Sequence, residues 1–93
     1  RTMAAELAPY NIRVVGYIPG VIDTDLTKEN IRINGDKLYE PLAIRRIGKA
    51  EDVAEAIAFL ASDSASYITG CCIEVTGGKF AVQNPMKAYE LKD

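Results

Sequence analysis

Ile12-Arg13-Val14-Val15-Gly16-Tyr17-Ile18-Pro19-Gly20 is the stretch on which the fold turns. After Arg13 it is apolar on both parities and rich in β-branched side chains. A strand without a polar face belongs in a parallel sheet covered by helices on both sides. The pattern predicts a strand over Ile12–Ile18. Within it Gly16 leaves room for a close neighbour or marks a bulge. Pro19-Gly20 stops the strand.

Upstream, Met3, Ala4, Leu7 and Ala8 fall at helical spacing, so Arg1–Ala8 reads as the end of a helix. Pro9 disfavours helical geometry at Ala8 and ends it. Downstream, Asp25, Asn30, Asn34-Gly35-Asp36 and Pro41 break the chain into pieces, and two short helices are expected near Leu26–Ile33 and Lys37–Leu42. Glu51–Ala61 is the clearest helix, with Val53, Ile57 and Leu60 on one face and Ala54, Ala58 and Ala61 beside them. Glu51 and Asp52 stand in its first turn, where negative charge suits the helix dipole. Ser62–Gly70 reads as a loop held by Tyr67 and Thr69, and Cys72–Thr76 as a short strand ended by Gly77-Gly78. Val53, Ile57, Phe59 and Leu60 are expected in the core. The tail from Lys79 shows no element.

Helix, buried strand, irregular insertion, helix, buried strand is the order found at the end of a doubly wound α/β sheet. Two strands cannot form a sheet buried on both faces, since they leave unpaired edges and uncovered apolar surface. Most of the sheet is therefore expected outside these residues. The fold expected is α/β, a C-terminal fragment of a doubly wound parallel-sheet Rossmann-type domain: its last two strands with flanking helices. Residues 1–80 form that part of the domain, with an irregular loop at about 25–47, and residues 81–93 form a tail. Arg1 in place of an initiating Met fits the expectation of a fragment.

Composition narrows the function classes. The net charge of −2, without a block of either sign, gives no electrostatic footprint for nucleic acid or an anionic membrane. The longest uncharged stretches, Val14–Ile22 and Ser64–Ile73, fall far short of the roughly 18 apolar residues of a membrane span. Arg1-Thr2-Met3 lacks the apolar core of a signal peptide. Adjacent Cys71 and Cys72 bridge only through a strained peptide, so reduced thiols and a cytoplasmic location are expected, with one thiol pointing into a core. The chain has no histidine, which leaves no metal site expected and argues against Ser-His-Asp or Cys-His catalysis within it.

The motifs converge on one family. Ala8-Pro9-Tyr10-Asn11-Ile12-Arg13-Val14 followed by Ile18-Pro19-Gly20-Val21-Ile22-Asp23-Thr24-Asp25, then Arg46-Ile47-Gly48 with Glu51-Asp52-Val53-Ala54, then Phe59-Leu60-Ala61-Ser62-Asp63, Ser66-Tyr67-Ile68-Thr69-Gly70 and Val75-Thr76-Gly77-Gly78 stand in that order. The ordered set resembles the sixth strand, penultimate helix and last strand of the classical short-chain dehydrogenases/reductases. Three departures are a Val15 where the family often has Asn, a Thr76 where it often has Asp, and Pro41-Leu42 two residues early.

The resemblance implies a part of an NAD(P)-dependent oxidoreductase that interconverts a secondary alcohol and a ketone by hydride transfer, with NAD or NADP as cofactor. It implies that the turn after the strand lies against the nicotinamide. Pro19 and Gly20 form the turn, Ile22 offers main-chain groups to the carboxamide, and the Thr24 hydroxyl bonds to the cofactor. Gly20 lets a backbone approach a flat ring closely. The segment 24–47 becomes the substrate loop, where Ile31, Ile33, Leu38, Tyr39, Leu42 and Ile44 either line an apolar pocket or pack the loop onto the body. A homo-oligomer, dimer or tetramer, formed through the last helix and strand is implied as well.

The family's Gly-x-x-x-Gly-x-Gly phosphate cradle is missing from this sequence, and none of Tyr10, Tyr17, Tyr39, Tyr67 and Tyr89 has Lys four residues on, so no catalytic residue is assigned here. The competing reading is a truncated, non-catalytic relative acting as a binding or oligomerisation module.

Overall fold

The computed structural model describes residues 1–81 and 85–92. Helix α1 (Thr2–Leu7) tightens into a 3-10 turn at Ala8–Tyr10, with Pro9 in the first turn, where its missing N–H is harmless. Asn11 then takes a left-handed conformation (φ 60°), which its short polar side chain tolerates, and turns the chain into the first strand.

That strand, β1 (Gly16–Pro19), pairs in parallel with β4 (Cys72–Val75), from Gly16 opposite Cys72 to Pro19 opposite Val75. The expected start at Ile12 is four residues early, and side-chain hydrogen bonding supplies the reason. Val14 is already tied to the neighbouring chain: its N–H donates to the Thr69 hydroxyl at 3.0 Å and its carbonyl accepts from Gly70 N–H at 2.9 Å. A hydroxyl stands where a backbone carbonyl would sit, so the regular ladder begins only at Gly16. Thr69 thus holds the loop before β4 as expected, whereas Tyr67 is fully exposed and holds nothing. Arg13 braces the same loop, donating to the carbonyls of Ile68 (3.3 Å) and Ser62 (3.5 Å). Gly16 has the close neighbour its position implied, because a Cβ there would meet Cys72 Sγ at 2.9 Å.

A second parallel ladder, not legible beforehand, joins β2 (Ile22–Asp23) to β3 (Gly48–Lys49). Between them runs α2 (Lys28–Tyr39), one helix rather than two, but with Asn34 outside helical geometry (φ −117°, ψ 19°). The interruption falls at the Asn34-Gly35-Asp36 break. Helix α3 (Ala50–Ala61) makes the crossover between the strands. A final helix, α4 (Met86–Leu91), corrects the expectation of a tail without structure. It is only six residues long, and its Tyr89 hydroxyl donates to the Ala43 carbonyl at 2.8 Å. So short a helix depends on such tertiary contacts more than on propensity. Residues 82–84 and 93 of the tail lie outside the described residues.

Little is buried. Among the described residues the buried hydrophobic side chains are Ala4, Leu42 and Ala65. The helix face expected in the core is not covered: Ile57 is 43% exposed and Phe59 50%. Nor does either thiol enter a core, since Cys71 is half-buried and Cys72 exposed, both unbridged. The radius of gyration is 16.4 Å, against roughly 12 Å for a compact domain of this length. The accessible surface is 7215 Å², against about 5300 Å² for a folded monomer of this mass. The βαβ unit is thus well formed locally, while its strand faces and outer helix face meet no partner among the described residues. None of the described helices is long and apolar enough to cross a membrane.

Candidate functional site

Because β1 and β4 are parallel, their carboxyl ends lie side by side, and that end of an open α/β sheet is where ligands bind. Pro19 ends β1, Gly20 follows it, Ile22 opens β2 and Thr24 follows β2, so the four stand on the one segment that leaves β1 there. Gly20 N–H donates to the Val75 carbonyl at 2.9 Å, one step past the ladder. A Cβ on Gly20 would lie 2.9 Å from the Thr76 Cα and 3.2 Å from its carbonyl oxygen. The absent side chain therefore admits the backbone of β4's end. This is a different reason for glycine than room for a flat ring, and it explains why buried Thr76 packs so closely there.

Two residues on, β2 turns the chain past Gly48, whose N–H donates to the Val21 carbonyl at 3.0 Å. The next turn is knotted by one hydroxyl. Thr27 Oγ1 donates to the Ile22 carbonyl at 2.5 Å, accepts from Thr24 N–H at 3.0 Å, and lies 3.2 Å from Thr24 Oγ1 and 3.3 Å from the Thr24 carbonyl. Thr27 is also the N-cap of α2, yet its side chain makes no bond to that helix. An N-cap threonine commonly satisfies an N–H of the first helical turn. Here the hydroxyl faces back into the turn instead. The Thr24 side chain is exposed. Thr27 was not singled out in the sequence, although a hydroxyl residue just before a helical run is a readable N-cap signal.

Beside the turn lies a cavity of ≈ 430 Å³, walled by Ile22, Leu42, Ile44, Gly48 and the Thr76–Gly78 turn among others. Of the four candidate residues only Ile22 reaches it; Pro19, Gly20 and Thr24 lie outside. Of the six loop residues considered as pocket lining, Leu42 and Ile44 form part of its wall, and Ile31, Ile33, Leu38 and Tyr39 do not. Leu42 is 1% exposed. The cavity's loop wall is fastened by the Ile44 N–H, which donates to the Gly77 carbonyl at 2.8 Å. Among the described residues there is no cluster able to hold a metal ion.

Arg46 and Asp52 also line the cavity. The guanidinium meets the carboxylate through its two terminal nitrogens, at 2.7 and 2.9 Å, and the same carboxylate accepts the Lys49 backbone N–H at 2.7 Å. Asp52 thereby satisfies the N-cap amide of α3; the reciprocal half of a capping box needs an acceptor, which a lysine side chain lacks. The Arg46 hydrogen bonds, then the Lys49 N–H, hold the Asp52 carboxyl well below the usual carboxylate range. The sign follows directly. A carboxyl with a depressed folded-state pKa stabilises the fold above its unfolded value, near 3.8, and that contribution is lost as pH falls through the lower folded value. In a full-length protein carrying this stretch, the stability gap between wild type and Asp52→Asn is expected to be full above about pH 5 and to close in more acidic solution. Urea midpoints measured across that range check it; a gap that widens on acidification would contradict the pairing.

Comparisons with known proteins show the family. A family model described as enoyl-(acyl carrier protein) reductase matches residues 1–79. The chain belongs to the short-chain dehydrogenase/reductase family. It is 39% identical over 80 residues to the 3-oxoacyl-(acyl-carrier-protein) reductase of Pseudomonas aeruginosa, covering 86% of this chain and 32% of the relative. It is 42% identical over 80 residues to the (3R)-3-hydroxyacyl-CoA dehydrogenase of Homo sapiens, covering 86% and 31%. The chain thus spans about a third of the length of these curated relatives. Among solved structures it is similar to a 4-hydroxyisoleucine dehydrogenase mutant complexed with NADH and succinate (TM-score 0.84, 34% identity, 89% of this chain and 35% of that one). A 2-deoxy-d-gluconate 3-dehydrogenase homologue from Agrobacterium tumefaciens with bound NADP gives a TM-score of 0.81 at 34% identity, covering 87% and 34%.

Proposed function

We propose that this chain is the C-terminal part of an NAD(P)-dependent short-chain dehydrogenase/reductase subunit that interconverts a secondary alcohol and a ketone. The observation that carries the reading is the turn from Pro19 to Thr24, set at the carboxyl end of a parallel βαβ unit in a member of this family. The larger sheet is inferred from apolar strand and helix faces that meet no partner among the described residues. Solved relatives with NADH and NADP make a nicotinamide dinucleotide the cofactor of choice.

The residues present fit such a group. The Ile22 main chain and the exposed Thr24 hydroxyl are the polar groups that would meet a carboxamide, and the Thr27 hydroxyl ties the two together. When bound, the nicotinamide supplies or receives the hydride. The chain's own part is orientation. Ile22 and Thr24 would fix the ring through its carboxamide, and orientation accounts for a large share of the rate in such transfers. Pro19 and Gly20 hold that edge at the strand end, Gly20 through its bond to Val75 and its approach to Thr76. The loop of residues 25–47 would close over the reacting carbon, with Leu42 and Ile44 its apolar contribution to a small alcohol or ketone site. The half-exposed Phe59 on α3 and the exposed side of β4 would form a subunit contact in a homo-oligomer. Nothing in the fold or in the comparisons favours a stand-alone assembly module.

The experiment is Thr24→Ala in the full-length subunit. The expected result is cofactor binding weakened about tenfold, the worth of one lost polar contact. The melting temperature should move little, because the Thr24 side chain is exposed. Unchanged affinity together with a lowered melting temperature would overturn the assignment.

A further inference from the structure

We infer that Thr27 is the positioning residue of the cofactor turn: its hydroxyl fixes the Ile22 carbonyl and makes the Thr24 hydroxyl a hydrogen-bond acceptor toward its ligand. The inference rests on the proposed role of Ile22 and Thr24 and deepens it.

A threonine hydroxyl has one proton to donate and two lone pairs to accept with. The Thr27 proton is committed to the Ile22 carbonyl at 2.5 Å, the shortest of its contacts. One lone pair receives the Thr24 N–H at 3.0 Å. The contact of 3.2 Å between the two hydroxyls therefore has Thr24 as donor, which fills the second lone pair of Thr27. With its own proton turned inward, Thr24 Oγ1 can offer only lone pairs to anything outside. The group that fits is an N–H donor, and the amide nitrogen of a carboxamide is one.

The same hydroxyl is withheld from a competing task. Thr27 caps α2 by position, and its own carbonyl accepts the Ile31 N–H at 3.0 Å, so the helix begins there. Its Oγ1 nevertheless makes no bond to the first turn of that helix. One side chain thus links the carbonyl of Ile22, the amide of Thr24 and the hydroxyl of Thr24, which are the groups a carboxamide would meet or their direct supports. A change at Thr27 should act on the nicotinamide end of a ligand and leave its adenosine end alone.

The test compares Thr27→Val, which keeps the shape and removes the hydroxyl, with Thr27→Ser, which keeps the hydroxyl, and with Thr24→Ala, all in the full-length subunit. Affinities are measured for the reduced dinucleotide that the wild type binds and for ADP-ribose, 2′-phosphorylated where the wild type takes NADPH. ADP-ribose lacks the nicotinamide. The expected result is that Thr27→Val weakens the dinucleotide about tenfold or more and leaves ADP-ribose unchanged, while Thr27→Ser restores binding to near wild type. Equal weakening of both ligands, or no rescue by serine, would mean a general structural role and overturn the inference. Wild-type dinucleotide affinity in Thr27→Val alone, with Thr24→Ala still weakened, overturns the inference and leaves the proposed function standing. Wild-type affinity in both variants overturns the two together.

Discussion

Expressed by itself, the 93-residue chain is expected to aggregate, to bind hydrophobic dyes, and to show neither a cooperative unfolding transition nor dehydrogenase activity. The reason is a mismatch between what the fold exposes and what a small domain tolerates. Its accessible surface of 7215 Å² exceeds the compact expectation of about 5300 Å² by about a third. Each 100 Å² of apolar surface left in water forfeits about 2.5 kcal/mol, and a domain of this size has a net stability of only about 5–15 kcal/mol. A few hundred square ångströms of uncovered apolar area are enough to abolish it. The uncovered places are specific. Beside β1, an open groove of ≈ 330 Å³ is lined by Arg13 and Val15 just before the strand, by Tyr17 on it, and by Ile57, Leu60 and Ala61 on α3. Ile18 is 40% exposed, and among the described residues β1 pairs only with β4. An apolar strand with an open edge templates association with other chains. Size-exclusion chromatography with light scattering and urea unfolding followed by circular dichroism decide the matter. A monomeric peak with a single cooperative transition would refute the expectation, and with it the need for a larger sheet.

The second large effect is expected from Gly20→Ala, and a contrast with Gly16→Ala identifies its cause. Both glycines admit a close neighbour across the β1–β4 ladder, but the neighbours differ. At Gly16 the obstacle to a Cβ is Cys72 Sγ at 2.9 Å, with the Cys72 Cβ at 4.0 Å in ordinary contact. At Gly20 it is backbone: the Thr76 Cα at 2.9 Å and carbonyl oxygen at 3.2 Å. Overpacking of this kind costs about 1–3 kcal/mol. Gly16→Ala should therefore be rescued by Cys72→Ala, which removes the obstructing sulfur, whereas Gly20→Ala should not be rescued by Thr76→Ala. A double-mutant cycle on melting temperature, in the full-length subunit, reads the coupling directly. Gly20→Ala should also weaken cofactor binding, because relieving the clash moves the strand end that carries Ile22 and Thr24. A Gly20→Ala protein with wild-type stability would contradict the close approach of the β4 end to Gly20.

Much of the fold was legible in the residues, and the reasons for the exceptions are local. Helix α3 declares itself through Val53, Ile57 and Leu60 at helical spacing, and it forms within one residue of the expected bounds. Asn34-Gly35-Asp36 marks a break, and the break is there, as an interruption inside α2 rather than a gap between two helices. The start of β1 was misplaced because apolar pattern does not reveal that Thr69 will take Val14's amide with a side chain. Strand β3 and helix α4 were invisible because two and six residues are too short for periodicity to register. The core assignment of Ile57 and Phe59 named apolar faces correctly as faces, but whether a face is covered depends on neighbours that periodicity does not count.

The order of apolar strand, helix and apolar strand, the Pro19-Gly20 stop and the ordered family motifs are properties of the sequence itself, since hydrophobic period and turn chemistry are set by neighbours a few residues apart. Which atoms meet across the turn was decided only in three dimensions. Gly20 against Thr76, Arg46 against Asp52 and the clasp of Thr27 on Ile22 and Thr24 depend on distances that no spacing along the chain encodes. Side-chain contacts of this kind form only after the strands and helices have been brought together.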